Sequence, residues 1–358
     1  MLWFVHPTRI LLAVVILSSV TMAIVGLSAF IAIAATVAVA LFIALHLSDG
    51  KKDIADELKC SWSAVNERDR DFEALESQYL VLTGDSAGSG ALDAPTWMDL
   101  DMDSVFSCMD RTHTNAGELM LYRMLHRILN EPDELEARNR AVRCMMDDES
   151  ARMNIRTALH NIGRDAKVDL TAMLWTNDIP DLGHTRLYNL LAASALASAV
   201  AAVFVGPAVL LFCTLPLFVI NTLLSTVILR DRIIESLRTL RYLGQVIGMA
   251  EKLASIDCEP VHAWQKGIRS ALPAASGILK GIRLLNPEGS ATAEFFQQIM
   301  YFILTLFLVE VRAFNRVVAE VRRNRAELQD LVRLIGELDA IQSVASFRSS
   351  LECCCEPE

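Results

Sequence analysis

DLDMDSVFSCMDRTHTNAGELMLYRMLHRILNEP, residues 99–132, is the stretch that decides the fold. Asn115 can cap a helix start, and Glu118, three residues on, can return the bond to the cap's own N–H. From there Leu121, Met124, Leu125, Ile128 and Leu129 recur at the three-four spacing of one buried helix face. Asn130-Glu-Pro132 ends that helix, and Pro132 suits the first turn of the next, where its missing N–H costs nothing. The next helix carries Leu135, Arg138, Ala141, Val142 and Met145, and a third carries Met153, Ile155, Leu159 and Ile162. Successive amphipathic helices predict a compact block over 99–186 and an all-α protein.

Outward from this block lie two stretches with no Asp, Glu, Lys or Arg, residues 10–48 and 187–229. A helix rises about 1.5 Å per residue and a bilayer core is about 30 Å thick, so about 20 apolar residues span it once. Each stretch has twice that length and reads as a hairpin of two transmembrane helices, about 10–27 with 29–48 and 187–205 with 208–229. Gly26 and Ser28 permit the first turn and Gly206-Pro207 the second. Pro216 is expected to kink the last helix, and Asn221 needs an internal partner. Arg9, Lys51, Lys52, Arg186, Arg230 and Arg232 flank the hairpins, so the positive-inside tendency puts every soluble segment in the cytosol. A signal peptide is the alternative for residues 10–48, but that run exceeds the roughly 7 to 15 residues of a signal core.

The remaining chain divides into a charged helix and flexible linker (51–98), with GDSAGSGALDAP as its linker, and a second half of the core with long helices (230–358). The net charge of −10 disfavours bulk electrostatic binding of nucleic acid without excluding a local basic strip. The eight cysteines include no C-x-x-C pair and are expected to be free thiols, with Cys353, Cys354 and Cys355 a run of undetermined role. The seven histidines show no paired metal spacing, and Asp99, Asp101 and Asp103 lack the glycine turn and distal Glu of a calcium loop. No catalytic, cofactor or metal set emerges.

The phrase Ser104, Phe106, Asp110, Arg111, Thr112, Thr114, Gly117, followed by Leu121, Leu125, Pro132, Leu135, Arg138 and Val142, resembles the core (lever) domain of the MutS mismatch-repair family. IGELDAIQSVASF, residues 335–347, with Gly336, Glu337, Leu338 and Asp339, is similar to that family's returning helix, and Cys355-Glu-Pro-Glu358 to the phrase leading out of it. The hairpins make the arrangement look like a membrane-bound branch. The resemblance implies binding of mismatched DNA and a part in DNA mismatch repair. It also implies ATP hydrolysis, but only on a C-terminal domain with a Walker A loop, G-x-x-x-x-G-K-[ST]. That loop does not occur in this sequence, so the chain is expected not to be an enzyme, with ATP and Mg supplied only by a partner ATPase domain. The Phe-x-Glu mismatch reader is likewise replaced by the first hairpin.

The last long-helix region, 293–347, turns from apolar (Ile299, Phe302, Ile303, Leu306, Phe307) to charged. Arg312, Arg316 and Arg323 share one face there, with Arg322 and Arg325 beside it, and the resemblance makes the first three the expected nucleic-acid contacts. Glu310, Glu320 and Glu327 interleave with them, as on a solvated, salt-bridged face. The expected partners are the bilayer, DNA, an ATPase domain and further copies of the chain. The alternatives are a membrane scaffold or oligomerisation module that does not bind DNA, and a truncated product of a longer membrane MutS-like ATPase.

Overall fold

A computed structural model describes residues 54–64, 68–84, 91–129, 131–183, 185–228, 233–256, 258–284 and 307–353. The expected first hairpin, the middle of the linker, Ile299 to Leu306, and Cys354 and Cys355 lie outside the described residues. The chain divides into two units, Met1–Cys60 with Glu288–Tyr301, and Ser61–Pro287 with Phe302–Glu358. Of the first, residues 54–60 are described, and they are helical.

The regular elements among the described residues of the second unit are helices, with one isolated bridge between Ala91 and Arg127. Helix α1 spans Phe72–Thr83, α2 Ala94–Asp99 and α3 Met102–Met109. Pro95 falls in the first turn of α2, under the cap of Asp93, so helix begins within the stretch read as linker. Helix α4 runs Asn115–His126. Its cap is Thr114, one residue before the expected Asn115: the Thr114 hydroxyl accepts the Gly117 N–H at 2.9 Å. Asn115 instead donates its amide to the carbonyls of Asp165 and Val168, and Glu118 pairs with Arg164 rather than with the cap. Because α4 ends at His126, Ile128 lies beyond it and is exposed.

Pro132 opens α5, Pro132–Asp147, as the sequence predicts, and α6 follows at Glu149–Ile162 under the cap of Asp148. Ala141, Val142, Met145, Ile155, Leu159 and Ile162 are buried. Leu135, expected among them, is exposed in the first turn of α5. Tyr79, Trp97, Phe106 and Tyr122 form a second, aromatic cluster against α4, with Trp97 stacked on His126.

The region 187–229 forms a helix, a break and a second helical limb. Helix α7, Thr185–Val205, is long and apolar enough to cross a membrane. Gly206 takes φ +121°, a left-handed conformation that suits glycine. The return limb is a short turn at Pro207–Val209, a π-helical stretch at Leu210–Thr214 and α8, Leu215–Ile228. Pro216 lies in the first turn of α8, directly after that π stretch. Among the described residues, then, one of the four expected spans reaches full length. The burial pattern is inverted relative to a water-soluble helix pair: Val203, Phe204 and Phe212 are at least 75% exposed, while Thr214, Asn221 and Ser225 are buried. The Thr214 hydroxyl donates to Ser198 on the facing limb at 3.2 Å.

After the hairpin come α9 (Ile234–Ser255) and α10 (His262–Leu284), then α11 (Val309–Arg323) and α12 (Arg325–Arg348). The run read as one long helix is broken at Asn324 between α11 and α12. Gly281 lies against Val317, Gly277 near Glu320 and Gly267 against Leu334, so α10 runs antiparallel to α11 and α12 in turn. The Trp264 indole closes this pairing by donating to Glu337 at 3.1 Å. Val311, Phe314, Val317, Val318 and Val321 form the buried stripe of α11, which leaves its arginines on the outer face.

Candidate functional site

The two phrases quoted from opposite ends of the sequence meet in one buried polar junction, formed by the turn before α4 and one face of α12. From the turn come Asp110, Arg111, Thr112, His113, Thr114 and Gly117; from α12 come Gly336, Asp339, Gln342, Ser343 and Ser346. Their spacing along α12 keeps the five on a common side of the helix.

Asp339 is wholly buried. Its carboxylate accepts the His113 N–H at 3.0 Å, the Thr114 N–H at 2.8 Å, the Thr114 hydroxyl at 2.7 Å and the Gln342 amide at 3.2 Å. Burial raises this carboxyl group above its ordinary value, against the smaller downward pull of the His113 and Thr114 donors and the Arg164 charge. All these partners are donors, so the site is built for the ionised form. The Thr114 hydroxyl gives its proton to Asp339 while capping α4, which couples the helix start to α12. Two glycines permit the approach. A Cβ on Gly117 would stand 2.5 Å from Asp339 Cγ, and one on Gly336 would stand 2.5 Å from the Ala116 carbonyl oxygen.

Beside it, Asp110 is also fully buried and takes three guanidinium groups, Arg68, Arg70 and Arg164. It also accepts the Thr112 hydroxyl at 2.6 Å. Arg111 reaches the other way along α12: its N–H donates to Ser343 at 2.7 Å, its guanidinium to Ser346 and Ser350, and it lies over the Phe347 ring. Gln342 returns a bond to the Arg111 carbonyl at 2.9 Å. Desolvation and mutual repulsion with Arg164 lower Arg68 to about 10. Burial, with Arg156, His160, Arg164 and Arg68 around it, depresses His113 to about 3, so the imidazole is neutral at pH 7.

The other residues of the two phrases are placed as follows. Leu338 is in the core. Glu337 pairs with Arg123 at 3.6 Å besides taking the Trp264 bond. Arg138 pairs with Glu134 one turn back, and Pro132 starts α5. Sequence reasoning missed Arg68, Arg70 and Arg164, which sit in irregular segments without a periodic signal. It quoted Gln342, Ser343 and Ser346 without assigning them a role, although polar residues at helical spacing between buried Leu338, Ile341 and Ala345 mark a polar seam inside a core helix.

Both aspartates of the junction are occupied by donors, Asp110 by guanidinium groups and the Thr112 hydroxyl and Asp339 by amides and the Thr114 hydroxyl. The chemistry of the junction is that of a fastener: it holds α4 at a fixed register on α12. The three arginines expected to contact nucleic acid, Arg312, Arg316 and Arg323, lie elsewhere, on α11. Arg316 and Arg323 are exposed. Arg312 is partly buried and donates to Asn189, in the first turns of α7, at 2.8 Å. Arg322 and Arg325 are engaged in structure. Arg322 binds Asn177 and the Ile179 carbonyl, and Arg325 binds the carbonyls of Leu174 and Trp175.

Comparison with known proteins gives one family model, MutS domain III, matched over residues 91–345. That span contains α2 to α11, most of α12 and both phrases of the junction. No curated protein and no solved structure matches the chain.

Proposed function

Because this chain belongs to the MutS family through a domain III that fills most of its length, we propose that it is a membrane-anchored MutS core that binds DNA in mismatch repair. Family membership carries the repair role. The anchoring rests on one observation above the others: the hairpin that interrupts the core exposes Val203, Phe204 and Phe212 and buries Thr214, Asn221 and Ser225. In water that arrangement is unfavourable by about 25 cal/mol for each Å² of apolar surface left wet; in a bilayer it is the expected one, with polar side chains bonding across the helices. The four-span topology of the sequence reading, with the core in the cytosol, extends this to residues 10–48.

The DNA contact is assigned to the outer face of α11. Arg312 lies at the foot of α7, hence at the membrane surface. Arg316 and Arg323 stand about 6 and 16 Å farther along the axis at about 1.5 Å per residue. The test is binding of the full chain in lipid nanodiscs to duplex and mismatched DNA across a salt series. The logarithm of the affinity is expected to fall linearly with log salt, and Arg316→Ala and Arg323→Ala each to lower the slope by about 1. No binding at low salt overturns the DNA reading and leaves the scaffold. Extraction of the chain from membranes by alkaline carbonate overturns the anchor.

A further inference from the structure

Cys144 and Cys258 lie 114 positions apart in the chain, yet their sulfur atoms are 2.6 Å from each other. Cys144 is in the last turn of α5, and Cys258 sits just before the turn Glu259–Val261 that leads into α10. The first lies before the hairpin and the second after it, so this contact bridges the two halves of the core. Cys258 is buried in the main core, and Cys144 is partly open to solvent. Burial, then Cys258, Asp148 and Asp147, push the Cys144 thiol up to about 12, which protects it from casual oxidation at neutral pH.

We propose that Cys144 and Cys258 form a reversible disulfide that staples the two halves of the core when a peroxide is present. The side chains already meet, so bond formation needs only a small rotamer adjustment. The accessible Cys144, as thiolate, attacks hydrogen peroxide, forming an S–O bond and releasing hydroxide. Cys258 then displaces the resulting sulfenic oxygen as water, and the S–S bond forms. In total two thiols lose two protons and two electrons, and one peroxide becomes two waters. The exposed Cys60, Cys108, Cys213 and Cys353 have no such neighbour among the described residues. The inference does not depend on the function proposed above.

The full chain in nanodiscs, treated with hydrogen peroxide and then with N-ethylmaleimide, is digested without reductant and its linkages are read by mass spectrometry. A peptide pair joining Cys144 to Cys258 is the expected dominant intramolecular linkage. It forms about 100-fold faster at pH 9 than at pH 7, following the thiolate fraction of Cys144, is lost on adding dithiothreitol, and is absent from C144S and C258S. Recovery of Cys258 as a maleimide-labelled thiol while Cys144 is sulfinic or alkylated overturns the proposal. So does pairing of either residue mainly with an exposed cysteine. The wild-type chain carries the decisive readout, so misfolding of a variant does not obscure it.

Discussion

Alanine in place of Gly117 sets two physical effects against each other. Helix propensity favours the change by about 1 kcal/mol, because alanine loses less backbone entropy inside a helix. The junction opposes it. The added Cβ would stand 2.5 Å from Asp339 Cγ and 2.7 Å from its Cβ, with Oδ2 closer still, so the carboxylate must shift by about an ångström. That carboxylate is held by the His113 and Thr114 N–H groups and the Thr114 hydroxyl. Losing two of these charge-assisted bonds costs about 3–6 kcal/mol at about 1.5–3 each. The expected net is a loss of about 2–5 kcal/mol. Gly248 in α9 is the control, since a Cβ there meets nothing within 4 Å, and Gly248→Ala is expected to be neutral or to gain up to about 1 kcal/mol. Thermal unfolding of the two variants in the same detergent, followed by tryptophan fluorescence, compares them directly. The penalty should shrink when Gly117→Ala is made in an Asp339→Ala background, because the clash partner is gone. A Gly117→Ala protein as stable as Gly248→Ala would refute the account of the junction as a close-packed fastener.

Asp110→Asn leaves three guanidinium groups facing a neutral amide, and a loss of about 3–5 kcal/mol is expected from breaking a buried charge network, measured by the same unfolding assay. For His113, the folded imidazole titrates near 3 and a free one near 6.5. Its contribution is therefore complete above about pH 6.5 and is lost as pH falls toward 3. His113→Gln should show a smaller drop in melting temperature between pH 7 and pH 5 than the parent chain, and an equal drop would remove His113 from the acid response.

How much of this was legible beforehand varies by element. The helical block read well because its signal is local: Pro132 at a helix start and apolar residues at three-four spacing need no distant partner. Cap placement was off by one because Thr114 and Asn115 are both good caps, and only the distant Asp339 and Asp165 decide between them. Ile128 and Leu135 were misplaced because the helix stops two residues before the first and starts three before the second, and periodicity does not locate ends. The aspartates of the junction were singled out only through the family resemblance. Their arginine partners, and the meeting of Cys144 with Cys258, depend on contacts over 40 to 114 positions that no sequence spacing encodes.

The hairpin's effect on stability follows from loop closure. Thr114 and Asp339 are 225 positions apart, and closing a chain that long costs an entropy that grows as (3/2)RT ln n. A pre-formed hairpin with adjacent ends would remove the 44 positions of α7 to α8 from that loop and reduce the cost by only about 0.2 kcal/mol. Inserting or deleting the hairpin therefore changes the closure cost by less than a single hydrogen bond of the junction, about 0.5–1.5 kcal/mol. The core can carry the insertion because the buried Tyr188 and Ile233, at its two ends, belong to the same apolar cluster as α9 and α12. What the hairpin adds on this reading is position. Under the proposed anchoring, the basic face of α11 would lie within about 20 Å of a lipid surface, where Arg316, within one screening length of about 8 Å, would feel the membrane and Arg323, two lengths away, would be largely free of it.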